Sequence, residues 1–293
     1  MTFDEMIARA EQMRSRDLYG AVSPEELRQY PAIQAEFQLA SEDGGEVHIY
    51  KIMPENRPMG CPMIINFHGG GFIKGRQLKD QLFCSKLALA FQCLVWDVDY
   101  SLAPERPYPA AVEESYSVVS YAFAHADELG IDVSRILLIG HSAGGNLAAT
   151  VCMKASETKA FHPAGLVMGY SPLDLYTDPA LKPRVEGDMP AETAKAYNAF
   201  YHDSETAKNP YVSPIFADEC QLEGFPDTLI FSCGLDSLCY EDEEFAMKLS
   251  RSGVNVISRR FKNSLHGFTL NRTEEWEDGM ALMFDFIKHH FEC

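Results

Sequence analysis

From residue 46 onward the chain alternates between two hydrophobic periods, and that alternation restricts its fold more than any other feature. Short runs rich in β-branched and aromatic residues (VHIYKIM, PMIINFH, CLVWDVDY, RILLIG, GLVMGYS, DTLIFSCG and NVISRRF) are bounded by glycine, proline or charge, as strands are. Between many of them lie segments of helical spacing, near residues 79–91, 109–128, 144–155, 241–252 and 274–290. Strand and helix in alternation predict an α/β fold: a mostly parallel central sheet with crossover helices on both faces. At 293 residues, 46% of them hydrophobic, the chain has ample material for such a core in a single unit.

Two stretches depart from the rhythm. Residues 3–18 place Phe3, Met6, Ile7, Ala10, Met13 and Leu18 at helical spacing, and Ser23-Pro24-Glu25-Glu26 offers an N-cap, a first-turn proline and first-turn acids. Residues 1–45 therefore read as a helical arm outside the sheet, ahead of a core at 46–293. Residues 176–212 hold Pro179, Pro183, Pro190 and Pro210 around a helix at 190–201, with no convincing strand. They read as an insertion above the sheet, a cap that forms a lid together with the arm.

The formal net charge of −18 disfavours nucleic acid or an anionic membrane surface as a partner, since both call for a basic face. None of the eight cysteines forms a C-x-x-C pair, and those at 61, 84, 93 and 152 sit in apolar or helical contexts, as reduced thiols do. The start MTFDEMIARAEQMRSRD has acids and no apolar stretch, so a secretory signal is not expected. No apolar run approaches the ~20 residues of a membrane span. A soluble, cytoplasmic protein is the expectation.

The stretch IGHSAGGNLAA, residues 139–149, carries the chemistry. Gly140-His141-Ser142-Ala143-Gly144 matches G-x-S-x-G between a strand (RILLIG) and a helix (NLAATVCMKAS). A sharp strand-to-helix turn strains the backbone of its central residue, and glycines two positions to either side remove the side chains that would collide. Such a turn holds the Ser142 hydroxyl out beyond the carboxyl end of the strand, beside a helix N-terminus that favours negative charge.

A serine acting as a nucleophile needs donors for the oxyanion it generates, a base, and a carboxylate that orients the base. Asn66-Phe67-His68-Gly69-Gly70-Gly71-Phe72 follows the strand PMIINF, and its bare backbone can bring the amides of Gly70 and Gly71 toward a ligand oxygen, with Ala143 as a third donor. Phosphate cradling is the competing use of glycines, but G-K-[ST] and G-x-G-x-x-G are both absent here. Asp236 follows the strand TLIFSCG by two residues, and His266 lies in NSLHGF beyond NVISRRF. Both fall on loops past the carboxyl ends of strands, where open α/β sheets keep their sites. Glu241 and Asp242 are the rival acids, but they fall on the following helix, where a solvated face is the default. Among the nine histidines, only His266 has a loop position beyond a late strand and before a glycine. His68 reads as packing within the glycine loop, and His141, adjoining Ser142, should point away from the hydroxyl.

The combination HGGG at 68–71, DYSLAPERPYPAA at 99–111, GHSAGGN at 140–146, GLDSL at 234–238 and HGF at 266–268 resembles the hormone-sensitive-lipase-like group of α/β-hydrolase esterases. The likeness runs in order from about residue 46 to the end. It implies the α/β-hydrolase fold with a helical cap and a cofactor-free acyl-ester hydrolase active on short-chain esters. Carried over residue by residue, it implies Ser142 as nucleophile, His266 as base, Asp236 as acid, and Gly70, Gly71 and Ala143 as oxyanion donors. Two positions depart from the group's usual pattern: His141 stands where aspartate is usual, and Ser101 where arginine is common. Neither is needed for proton transfer; both bear on substrate preference.

The resulting expectation is a serine carboxylesterase acting on a small-molecule ester through an acyl-enzyme intermediate, with neither metal nor cofactor. An amidase or peptidase using the same triad, or a non-catalytic small-molecule receptor on the same fold, are the alternatives. A homo-oligomer stays open, because sequence alone does not identify a free edge strand. Phe72, Tyr197, Phe200 and Tyr201 are candidate walls of the acyl or alcohol pocket.

Overall fold

In the computed structural model, which describes residues 2–15, 22–41 and 44–292, eight strands form one sheet. They are β1 (Ile33–Ala40), β2 (Glu46–Met53), β3 (Cys61–Phe67), β4 (Leu94–Asp99), β5 (Ile131–His141), β6 (Gly165–Gly169), β7 (Thr228–Cys233) and β8 (Val256–Phe261). The spatial order is β1-β2-β4-β3-β5-β6-β7-β8. The first two pairings, β1 with β2 and β2 with β4, are antiparallel, and all the others are parallel. The helices are α1 (Phe3–Arg14), α2 (Pro24–Arg28), α3 (Leu78–Phe91), α4 (Ala110–Ala124), α5 (Ala126–Leu129), α6 (Ala143–Thr158), α7 (Ala191–Tyr201), α8 (Glu219–Leu222), α9 (Cys239–Arg251), α10 (Phe268–Asn271) and α11 (Trp276–Glu292).

Side chains of a strand alternate between faces, so the fully apolar parallel strands must be covered on both. In β3, Ile65 and Phe67 join one core with Trp96, Val98, Leu138 and Leu147, while Ile64 joins the opposite core with Val95, Leu137, Ile139 and Phe231. Each such burial contributes roughly 1.5–3 kcal/mol against leaving the side chain in water. Register aligns Phe67 with Val98 and with Gly140, so β3, β4 and β5 end at one level. The loops that follow them meet there.

The arm differs from its sequence reading. Helices α1 and α2 form, the first capped by Thr2 and the second by Ser23 with Pro24 in the first turn. Leu18 lies outside the described residues. Residues 33–40, however, are not helical: they add β1 to the sheet, in register from Ile33↔Met53 to Ala40↔Glu46. Ile33, Ala35, Phe37 and Leu39 do alternate, and Phe37 packs edge-on against Trp96 with ring centroids 5.1 Å apart. The strand covers the outer edge of β2, whose backbone would otherwise be unpaired. Helix α1 is held to the core by Arg14, which donates to the carbonyls of Ile73 (2.7 Å) and Ala103 (3.0 Å) and pairs bidentately with Glu105.

No helix among the described residues is long and apolar enough to cross a membrane. Residues 176–212 contain α7 and no strand.

Candidate active site

Strand β5 ends at His141 and α6 begins at Ala143, so Ser142 alone makes the turn, with φ 53° and ψ −125°. That backbone is costly for a residue with a β-carbon and persists only when its surroundings impose it. Here Ser142 N–H donates to the Gly169 carbonyl (2.8 Å) and its own carbonyl accepts from Gly145 (2.8 Å). The flanking glycines are required by space. A β-carbon at 140 would run into the Gly144 backbone, and one at 144 into the Phe67 carbonyl.

The Oγ of Ser142 is 2.9 Å from Nε2 of His266, and Nδ1 of that ring is 2.7 Å from Oδ2 of Asp236. A carboxylate only accepts, so Nδ1 carries the proton and Nε2 is left to accept from the hydroxyl. Asp236 is itself oriented by the Leu238 amide, which donates to Oδ1 at 3.1 Å. Burial opposes a charged imidazolium at 266, but the charge and hydrogen bond of Asp236, aided by Asp188, outweigh it and hold the His266 pKa above the ordinary value of 6.5.

The glycine loop turns back on itself, with Gly70 accepting from the amides of Ile73 (3.1 Å) and Lys74 (3.0 Å). The amides of Gly70, Gly71 and Ala143 donate to no protein acceptor among the described residues. Gly70 and Gly71 line the cleft with Ser142, whereas Ala143 is fully buried just behind it. Both loop glycines have positive φ (133° and 60°).

Beneath the loop lies a layer of buried polar groups. His68 is stacked on Tyr100 at 4.3 Å between centroids and its Nδ1 faces the Gly69 carbonyl at 2.8 Å, while Tyr100 Oη donates to the His68 carbonyl at 2.7 Å. Asn66 donates to Asp97 at 2.7 Å, and Arg76 pairs with the same carboxylate. Ser101 donates from both its amide and its hydroxyl to the buried Glu114 (2.6 Å each), and Arg106 pairs with that same carboxylate.

The cleft above Ser142 has a volume of about 150 Å³ and is partly open to bulk solvent. Phe72 and Tyr197 border it, while Phe200 and Tyr201 are buried behind, Tyr201 stacked on Phe72 with centroids 3.7 Å apart. Among the described residues, no residue of the arm borders the cleft. Residues 176–212 contribute Lys182, Asp188, Met189 and Asn198, none of which the motifs single out. No group of three or more His, Cys, Asp or Glu among the described residues is disposed to hold a metal ion.

Glu241 and Asp242 are not on a solvated face. Both are buried, and they pin the loop after β6: Asp242 accepts from the Ser171 amide (2.9 Å) and Glu241 from the Asp174 amide (2.5 Å). Burial pushes Glu241 up to about 7 despite Lys182, 2.9 Å away, and raises Asp242 as well. The signal was present for Asp242, which shares a helical stripe with Phe245, Ala246 and Leu249. His141 packs among Phe83, Tyr170 and Phe231 at 5.1–6.1 Å between centroids, with Nε2 lacking a hydrogen-bond partner. Burial, with Lys79 nearby, lowers its pKa to about 3.

With this geometry in hand, the relatives are informative. Residues 64–270 match the model of a family with the α/β-hydrolase fold. The chain is 30% identical to an arylesterase of Saccharolobus solfataricus over 211 residues, 70% of this chain and 68% of that one. It is 33% identical to hormone-sensitive lipase of Mus musculus over 132 residues, 45% of this chain and 17% of the lipase. The match spans only 63% of the length of another curated relative, an AB hydrolase superfamily protein of Schizosaccharomyces pombe. Among solved structures, an esterase of Pyrobaculum calidifontis superposes with a TM-score of 0.83 at 26% identity, covering 97% of this chain and 92% of that one.

Proposed function

The chain belongs to the hormone-sensitive-lipase-like family of α/β-hydrolase esterases, and from that premise we propose that it is a serine carboxylesterase acting on short-chain, acetyl-type esters. The observation that carries this reading is the unbroken hydrogen-bonded line from Asp236 through His266 to Ser142, with distances of 2.7 and 2.9 Å.

In the first half-reaction His266 Nε2 takes the Ser142 proton as Oγ bonds to the ester carbonyl carbon. The carbonyl π pair moves onto oxygen, where the amides of Gly70, Gly71 and Ala143 stabilise it. As the tetrahedral intermediate collapses, the C–O bond to the alcohol breaks and His266 protonates the departing oxygen. Water then attacks the acyl-enzyme, giving its proton to His266, which returns it to Ser142 as the acid leaves. Asp236 stays ionised and stabilises the imidazolium twice per turnover. Every described cysteine except Cys220 is a buried free thiol, which supports a reducing, cytoplasmic setting.

Turnover of p-nitrophenyl esters of increasing acyl length by wild type, and its loss in Ser142→Ala, tests the proposal. Failure of every ester, or full activity in Ser142→Ala, overturns it. An amide cleaved in preference to its matching ester would assign an amidase instead. Absence of fluorophosphonate labelling at Ser142 would leave a binding protein on this fold.

A further inference from the structure

Tyr170, directly after β6, has no part in the reaction above, yet its segment meets the elements that carry all three triad residues. Its φ is 41°, a left-handed backbone that is rare for a residue with a β-carbon and persists only where neighbours impose it. They do so at three successive residues. The Gly169 carbonyl accepts from the Ser142 amide (2.8 Å), Tyr170 N–H donates to the Phe231 carbonyl of β7 (2.9 Å), and Ser171 N–H donates to Asp242 of α9 (2.9 Å). Asp236 lies between β7 and α9. The nucleophile's turn and the elements flanking the acid are thus fastened to one strained segment.

The Tyr170 side chain reaches the third member. Its ring is buried, borders the cleft, and meets the His266 ring at 65° with centroids 5.0 Å apart. Its hydroxyl is hydrogen-bonded to Oγ1 of the buried Thr269 at 2.8 Å. Between His266 and Thr269 the chain turns at Gly267 with φ 82°, and α10 is a single turn. Local backbone therefore does little to fix this loop. During turnover the Nε2 contact of His266 passes from Ser142 to the departing alcohol and then to water, so only the Nδ1 bond to Asp236 is kept throughout. A ring held at one atom can pivot about it, which carries Nε2 away from the hydroxyl. Resting on the esterase reading, we infer that Tyr170 is a positioning residue of the base: its ring and its bond to Thr269 keep the His266 imidazole from pivoting while the proton is passed on.

The test is steady-state kinetics on p-nitrophenyl acetate in Tyr170→Leu, Tyr170→Phe and Thr269→Val. Tyr170→Leu removes the flanking ring, and kcat falls about 10²-fold while KM changes less than about 3-fold. Tyr170→Phe keeps the ring and loses only about 2- to 10-fold, for the hydrogen bond. Thr269→Val removes the same bond from its other end, so the double variant Tyr170→Phe/Thr269→Val is no worse than either alone. Wild-type kcat in Tyr170→Leu, or a change confined to KM, overturns the proposal. If Tyr170→Leu does not fold, the two milder variants decide, and wild-type kcat in both overturns it. A second measurement does not depend on turnover: the ¹⁵N-histidine spectrum of neutral His266, in samples whose far-UV circular dichroism matches. Ser142→Ala shifts the Nε2 resonance in the wild-type background and far less in Tyr170→Leu, where the ring has already left the hydroxyl. Equal shifts in the two backgrounds overturn the proposal even if the protein proves not to be an esterase.

Discussion

The ring of Tyr197 on the cap helix α7 lies against the bare α-carbon of Gly71, where any β-carbon would overlap its Cδ2 and Cε2 atoms. The cap and the loop that offers its amides to the cleft are therefore in direct contact, and the glycine is required both by its φ of 60° and by that ring.

Gly71→Ala should accordingly act on the chemical step. The displaced loop loses one of the proposed oxyanion donors, and kcat falls about 10²- to 10³-fold with a smaller change in KM. Tyr197→Ala leaves the amide in place and raises KM chiefly. Steady-state kinetics on p-nitrophenyl acetate separates the two, and wild-type kcat in Gly71→Ala would contradict the role given to the loop.

Asp236→Asn keeps the shape of the site but removes the charge that stabilises the imidazolium and selects its tautomer. The expected loss in kcat is about 10⁴-fold, and Ser142→Ala loses at least as much. Because the groups act as a unit, the double variant should be scarcely worse than either alone, which the same assay reads directly.

In the proposed reaction the base form of His266 must be neutral, and Asp236 holds its pKa above 6.5. The acid limb of kcat/KM should therefore lie above that value and move down in Asp236→Asn, as far as residual activity permits. For stability the sign is the reverse of the usual carboxylate case. A raised histidine pKa contributes stability that is fully present below the unfolded value and is lost as pH rises through the folded one.

His141 has the opposite linkage, its pKa lowered to about 3 by burial. Between that value and about 6.5 the unfolded chain takes up a proton that the native site refuses, so this group destabilises the fold as pH falls, by up to a few kcal/mol. Urea midpoints at pH 7 and pH 5 should show a shallower drop in His141→Phe than in wild type. Equal drops would mean that the ring protonates without penalty.

Glu114 anchors Ser101 and Arg106 from a fully buried position. Glu114→Ala strips both of that carboxylate and should cost about 3 kcal/mol, lowering Tm by several degrees. A Tm within a degree of wild type would show that water replaces the carboxylate without loss.

How far the molecule could be read from its residues follows the range of the forces concerned. The alternation of strand and helix, the glycines at 140 and 144, and the capped start of α2 express local geometry, which a few neighbouring residues dictate. Strand β1 was legible only in part. Ile33, Ala35, Phe37 and Leu39 do alternate, but polar residues stand between them, and what makes the segment a strand is the open edge of β2 in the folded sheet. Glu241 and Asp242 show the same division, because their burial depends on backbone amides more than sixty positions away in the chain.

By itself, then, the sequence determined the layered α/β architecture, the turn that lifts the Ser142 hydroxyl, and the residue types at the strand ends. Only the tertiary structure decided that His266 lies 2.9 Å from that hydroxyl across 124 positions of chain, and that Asp188 shares its cleft. Periodicity and turn chemistry act over one or two turns of backbone. Hydrogen-bond distance and electric field depend on where the sheet's register and the cap's packing finally set each loop.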